Sequence, residues 1–150
     1  MNTVTFKGPM AFEGLSESGH RIIMDASEEV GGENRGVRPM ELVLLSLGGC
    51  TGMDVVSILR KMRVTYTAFE IEIDADRVLT HPKVYERLML RYRLEGDRAS
   101  SDQIIRAVKL SQEKYCSVSA MLARTAEVLV EIVLNGETIY PLSQRTSVDR

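Results

Sequence analysis

Leu42-Val43-Leu44-Leu45-Ser46-Leu47-Gly48-Gly49-Cys50-Thr51-Gly52-Met53-Asp54-Val55-Val56 is the stretch on which the fold turns. The apolar run continues to Leu59, long enough to raise the question of a membrane span. Asp54, three glycines and two serines within it point instead to the central buried helix of a folded domain. Pro39 stands at the first helical position, where its missing N–H costs nothing. Arg60, Lys61 and Arg63 put positive charge at the negative, C-terminal end of the helix dipole.

The glycines around Cys50 allow two geometries. Each costs about 1 kcal/mol relative to alanine in a helix interior. They therefore either break the helix at Cys50 or let another backbone or a substrate come close. A break presents the N–H groups of Gly48–Gly49 to the sulfur and favours its thiolate. An unbroken helix instead aligns Ser46, Cys50, Asp54 and Ser57 at i, i+4, i+8 and i+11, a polar seam with a sulfur in its middle. Asp54 beside the thiol then opposes ionisation.

The second cysteine ends the helical pattern Gln112-Glu113-Lys114-Tyr115-Cys116-Ser117-Val118-Ser119. Cys50 and Cys116 are too far apart for a CxxC redox motif, and two thiols are too few for a thiolate metal site. The pair reads either as an attacking thiolate with its resolving thiol or as two buried small hydrophobes.

With 150 residues, 44% hydrophobic and 27% charged, the chain has an ordinary globular balance and enough length for a sizeable core. Residues 1–140 are expected to form a single domain, followed by a loose polar tail from Pro141 to Arg150. A net charge of −2 gives no electrostatic footprint for nucleic acid. Met1 to Lys7 lacks the charged-then-apolar pattern of a signal peptide, so the expectation is a cytoplasmic protein without a membrane partner. There thiols rest reduced, and a disulfide is more often catalytic than structural.

Working outward, short strands are expected at Val4–Lys7, Ala11–Leu15 and His20–Asp25, with a turn at Ser16-Glu17-Ser18-Gly19. Glu28–Arg38 is a polar loop. Phe69, Ile71, Ile73 and Ala75 alternate with acidic residues, and Leu88, Leu90, Tyr92 and Leu94 alternate mainly with arginines. Two half-buried antiparallel strands follow, their charged faces complementary. Ser100 and Gln103 suggest a capping box for a second helix with Ile104, Val108 and Tyr115 inside. A short third helix carries Val118, Met121 and Leu122. Val128, Val130, Ile132 and Leu134 mark a last strand, and Asn135-Gly136 signals a hairpin returning through Thr138–Tyr140.

Other chemistries find little support. His20 and His81 are the only histidines, and neither has ligand spacing to a cysteine or to the other. His81 precedes Pro82 in a turn, while His20 would reach Cys50 as a base only if the fold brought it there. No GxGxxG, P-loop or GxSxG elbow occurs.

Arg38-Pro39-Met40-Glu41-Leu42 through Gly49-Cys50-Thr51 to Asp54-Val55-Val56, with Lys114-Tyr115-Cys116-Ser117-Val118, resembles the OsmC/Ohr family. The two strands between the helices and the strand after Cys116 follow in the family's order. The resemblance spans roughly Met1 to Leu134. It implies an α+β, OsmC-like fold with curved antiparallel β-sheets wrapped around long central helices, in an intertwined homodimer with active sites at its interface. In the family's peroxidases a first cysteine attacks an organic hydroperoxide and becomes a sulfenic acid. The second condenses with it to a disulfide, which a dithiol reductant reopens. Those roles would fall to Cys50 and Cys116.

The match departs at two places. The family's glutamate follows the helix-start proline directly, where this chain has Met40; Glu41 lies one residue on, about 100° round the helix. The family's N-terminal arginine has no motif counterpart in Phe12-Glu13-Gly14-Leu15, though Arg21, Arg35 and Arg38 are nearby. The expected function is a thiol-dependent hydroperoxide reductase in oxidative-stress defence, with Cys50 attacking and Cys116 resolving. Glu41, Arg38, Gly49 and Asp54 are candidate supporting residues. No cofactor is expected beyond the external dithiol. The alternative is a non-catalytic OsmC-like protein that binds an apolar ligand or senses redox state at the dimer interface.

Overall fold

Period-two alternation and one long helix organise the structure. The computed structural model describes residues 1–97 and 99–144, and the chain divides into two compact units, Met1–Leu45 and Ser46–Arg150.

In the first unit β1 (Thr3–Phe6), β2 (Phe12–Leu15) and β3 (Arg21–Met24) form an antiparallel sheet in chain order. The β2–β3 turn closes at Gly19, whose φ of 87° lies in the left-handed region that favours glycine. Asp25 organises the loop that follows. Its buried carboxylate accepts the N–H groups of Ala26, Glu33 and Arg35 at 2.8, 3.2 and 3.1 Å. The Arg35 N–H contributes most to holding that carboxyl below its ordinary range.

The helix α1 (Pro39–Lys61) starts at the proline and runs unbroken across the boundary between the units. At its start Glu41 Oε2 accepts the Arg38 N–H at 2.9 Å. Within the second unit Leu47, Thr51, Val55 and Leu59 are its buried i, i+4 stripe. Leu45 and Met53, however, are 59% and 72% exposed. The buried central helix expected from the sequence is half-buried in a single chain, although its length and hydropathy would suffice to cross a membrane.

The second unit holds a four-stranded sheet of β4 (Ala68–Arg77), β5 (Tyr85–Glu95), β6 (Glu127–Leu134) and β7 (Glu137–Gln144), in that order. The predicted pairing of β4 and β5 is present: Ile71 faces Tyr92, Ile73 faces Leu90, Glu70 faces Arg93 and Glu72 faces Arg91. Leu88, Leu90, Tyr92 and Leu94 are buried on one face. On the other, Arg91 bonds Glu72 at 3.2 Å and also Glu131, a solvated ladder worth less than about 1 kcal/mol per pair.

Several expectations change. The sheet is not wholly antiparallel, because β5 and β6 run parallel. The chain reaches β6 through α2 (Ser101–Leu110), a π-helical turn over Ser111–Tyr115 and α3 (Ser117–Leu122), the kind of crossover parallel strands require. Ser100 makes no side-chain cap bond, and Gln103 Nε2 points to Met62 O, so the capping box does not form. Tyr115 is 51% exposed, because the π turn rotates it off the stripe of Ile104 and Val108. Met121 is exposed as well, and Ser119 is the buried residue of α3. Residues 141–144 of the expected tail belong to β7, and 145–150 lie outside the described residues.

Candidate functional site

Glycine spacing on α1 sets the site's floor. A Cβ at Gly48 would lie 2.9 Å from Ile73 Cδ1, and one at Gly52 would lie 3.3 Å from Ile71 Cδ1. Gly48 and Gly52, one turn apart, thus let β4 approach the helix without breaking it. The N–H groups near Gly49 stay in the helix's own hydrogen bonds, which removes the route to a thiolate through a helix break. The unbroken seam is the geometry found. Cys50 and Asp54 are half-buried on it, while Ser46 and Ser57 are exposed.

The π turn delivers Cys116 to this seam. Cys116 caps α3, with its Sγ accepting the Ser119 N–H at 3.3 Å, and the residue is only 2% exposed. Cys50 Sγ, Cys116 Sγ and an Asp54 carboxylate oxygen all lie within 4.8 Å of one another, and both thiols are free. Burial pushes the Cys116 thiol up to about 12; the Ser119 N–H opposes this, and Cys50 and Asp54 reinforce it.

Behind the cluster runs a buried chain of hydrogen bonds that the sequence reading missed. Ser111 Oγ donates to Asp54 Oδ2 at 3.1 Å, and this spends its single proton. Thr51 must then donate to Ser111 across 2.8 Å, and the Tyr92 hydroxyl to Thr51 across 2.7 Å. Gln112 Nε2 donates to Tyr92 OH at 2.6 Å and to Thr51 Oγ1 at 3.1 Å. Its Oε1 accepts from Ser119 Oγ at 2.6 Å. Donor direction is therefore set along the whole path, from Gln112 to the Asp54 carboxylate. Burial raises the Tyr92 hydroxyl's pKa above its ordinary range. One signal for this network was legible: Thr51 is the polar member of the stripe Leu47, Thr51, Val55, Leu59.

The other sequence candidates are engaged locally in the first unit. The Arg38 guanidinium donates to Gly36 O at 2.9 Å and to Asn34 Oδ1 at 2.7 Å, and Glu41 caps the helix start. Arg35 pairs with Glu33 at 2.9 Å. His20 Nδ1 lies 3.2 Å from Ser18 Oγ within its own turn. A cleft of about 350 Å³ opens at Asp54, lined also by Ser57, Ile58, Lys61, Met62, Leu110 and Tyr115.

Burial separates the two thiols chemically. At neutral pH iodoacetamide is expected to label the reduced folded protein once, at Cys50, with Cys116 labelled only after unfolding. Peptide mass mapping checks this, and equal labelling of both would contradict the described burial.

Known proteins share this fold. A family model described as OsmC-like protein matches residues 32–131. Protein YhfA of Escherichia coli K12 is 36% identical over 119 residues, which cover 79% of this chain and 86% of that protein. The crystal structure of a hypothetical protein from Aquifex aeolicus VF5 is 32% identical, with a TM-score of 0.75 over 90% of this chain and 96% of that one. An organic hydroperoxide resistance protein OsmC from Legionella pneumophila superposes with a TM-score of 0.66 over 89% of this chain and 96% of its own, at 13% identity, a likeness of fold alone.

Proposed function

The chain belongs to the OsmC-like protein family, and from that premise we propose that it is a thiol peroxidase reducing organic hydroperoxides. The observation carrying the reading is the convergence of two free thiols, distant in sequence, one half-buried and one buried, with their ligand atoms within 4.8 Å. Neighbours of the same fold named as organic hydroperoxide resistance proteins support it.

The Cys50 thiolate attacks the outer peroxide oxygen. An S–O bond forms, the O–O bond breaks, and the departing alkoxide takes a proton to leave as an alcohol. Cys116, protonated at rest because it is buried, then gives its proton to the Asp54 carboxylate as its sulfur attacks the sulfenic sulfur. The S–S bond forms, and the Asp54 carboxylate passes the Cys116 proton to the departing hydroxide, giving water. An external dithiol reopens the disulfide by exchange. The polar chain from Gln112 through Ser111 holds Asp54 for this transfer. Exposed Leu45 and Met53 on α1 suit a homodimer that covers them, in a reducing cytoplasm.

A second reading, non-catalytic binding of an apolar ligand, draws on a cleft of about 720 Å³ in the first unit, lined chiefly by Val4, Met10, Phe12, Met24 and Val30. Intact mass separates the two. One equivalent of an organic hydroperoxide should remove both thiol hydrogens from the reduced protein. Cys50→Ser should abolish that loss, and Cys116→Ser should trap a sulfenic acid. An unchanged mass after prolonged exposure would overturn the peroxidase and leave the binder.

A further inference from the structure

We infer that the reduced Cys50–Asp54–Cys116 cluster is also a binding site for a thiophilic divalent cation, by its chemistry zinc, which excludes hydroperoxide while bound. The site shares its two thiols with the peroxidase reading; cation binding does not rest on that reading, and the exclusion of hydroperoxide does. Two thiols alone were too few for a metal, and the fold supplies the third ligand by folding Asp54 in beside them.

The geometry is close to what zinc needs. Tetrahedral zinc with bonds of roughly 2.3 Å to sulfur and roughly 2.0 Å to oxygen sets its donors about 3.5 to 3.8 Å apart. Donors already within 4.8 Å need to close by no more than about 1.0 to 1.3 Å, within the reach of small side-chain rotations. Cys50 and Asp54 sit one turn apart on a continuous helix, and Cys116 projects from the opposing helix cap, so the donors arrive from two elements. Both flanking donors are oriented by outer contacts: Ser111 Oγ bonds the Asp54 carboxylate, and the Ser119 N–H bonds the Cys116 sulfur.

Charge favours a cation there. Among the described residues Asp54 makes no ion pair, though Lys61 lines the same cleft. That cleft opens onto Asp54, and zinc held by three protein ligands takes water as its fourth. Two sulfurs with a single carboxylate select zinc over magnesium or calcium, which take oxygen ligands. On ligation each thiol gives its proton to solvent, and Cys50 is no longer available to attack.

The test uses the reduced, chelator-treated full chain and cobalt(II) as a spectroscopic probe, with no peroxide present. Wild type should bind one cobalt per chain, with a charge-transfer band of two-thiolate intensity that zinc erases. Cys50→Ser should halve the band. Asp54→Asn should keep the band and weaken binding roughly 10- to 100-fold. Needing no variant, stoichiometric zinc should also protect wild-type Cys50 from alkylation until a chelator is added. No band in wild type, an undiminished band in Cys50→Ser, or unchanged affinity in Asp54→Asn overturns the site. The hydroperoxide mass assay is run separately in chelator, so either reading fails without the other.

Discussion

Gln112→Leu is expected to cost about 3 kcal/mol of folding stability, visible as a lower urea midpoint with an unchanged slope. Leucine nearly matches the volume but offers no polar atom. Tyr92 OH and Thr51 Oγ1 lose a donor, and Ser119 Oγ loses the acceptor it holds at 2.6 Å. Thr51, Tyr92 and Ser119 are fully buried, so water does not repair the loss, and each such group costs roughly 1–3 kcal/mol. A surface glutamine would move stability by no more than about 0.5 kcal/mol, and a loss that small would mean the network is not closed. Adding Tyr92→Phe to Gln112→Leu should cost less than the sum of the two single changes, because partners removed together leave fewer orphaned groups.

Alkaline pH should erode stability through Cys116. The thiol's ordinary pKa is 9.0, and in the folded chain it is pushed up to about 12. Above pH 9 the unfolded chain sheds this proton while the folded chain keeps it. The folded state then binds more protons, and unfolding becomes easier as pH rises. The contribution is complete below the unfolded value and is lost progressively up to the folded one, by at most about 1.4 kcal/mol per pH unit. Tyr92, raised by burial, adds a slope of the same sign from its ordinary 10.0 upward. Cys116→Ala should flatten the first part of the curve, and so should oxidation to the disulfide. Parallel curves for wild type and Cys116→Ala above pH 9 would show that the thiol is not protected from ionisation.

The first prediction depends on residues that were poorly legible in the sequence. Tyr92 appears in the sequence as one more apolar position of β5, and Ser111 and Gln112 as ordinary helix residues. Their meeting depends on a π turn, for which local propensity has no signal. Cys50 and Asp54 stand on one helical face by spacing alone, so that half of the site was readable. The choice between a broken and an unbroken helix at Gly48–Gly49 was not, because it depended on Ile71 and Ile73 of β4 filling the space that the glycines leave.

What the sequence determined by itself is what short-range periodicity carries: the alternation that makes β4 and β5 and pairs their charges, the proline-led helix α1, the Asn135-Gly136 turn, and the two motif segments that mark the family. Each follows from forces acting over a few residues. The tertiary structure alone decided that β5 and β6 lie parallel, that Cys116 comes within reach of Cys50 and Asp54, and that a buried polar chain ends on that carboxylate. These depend on which faces bury against which across tens of residues, and only the packed chain settles that pairing.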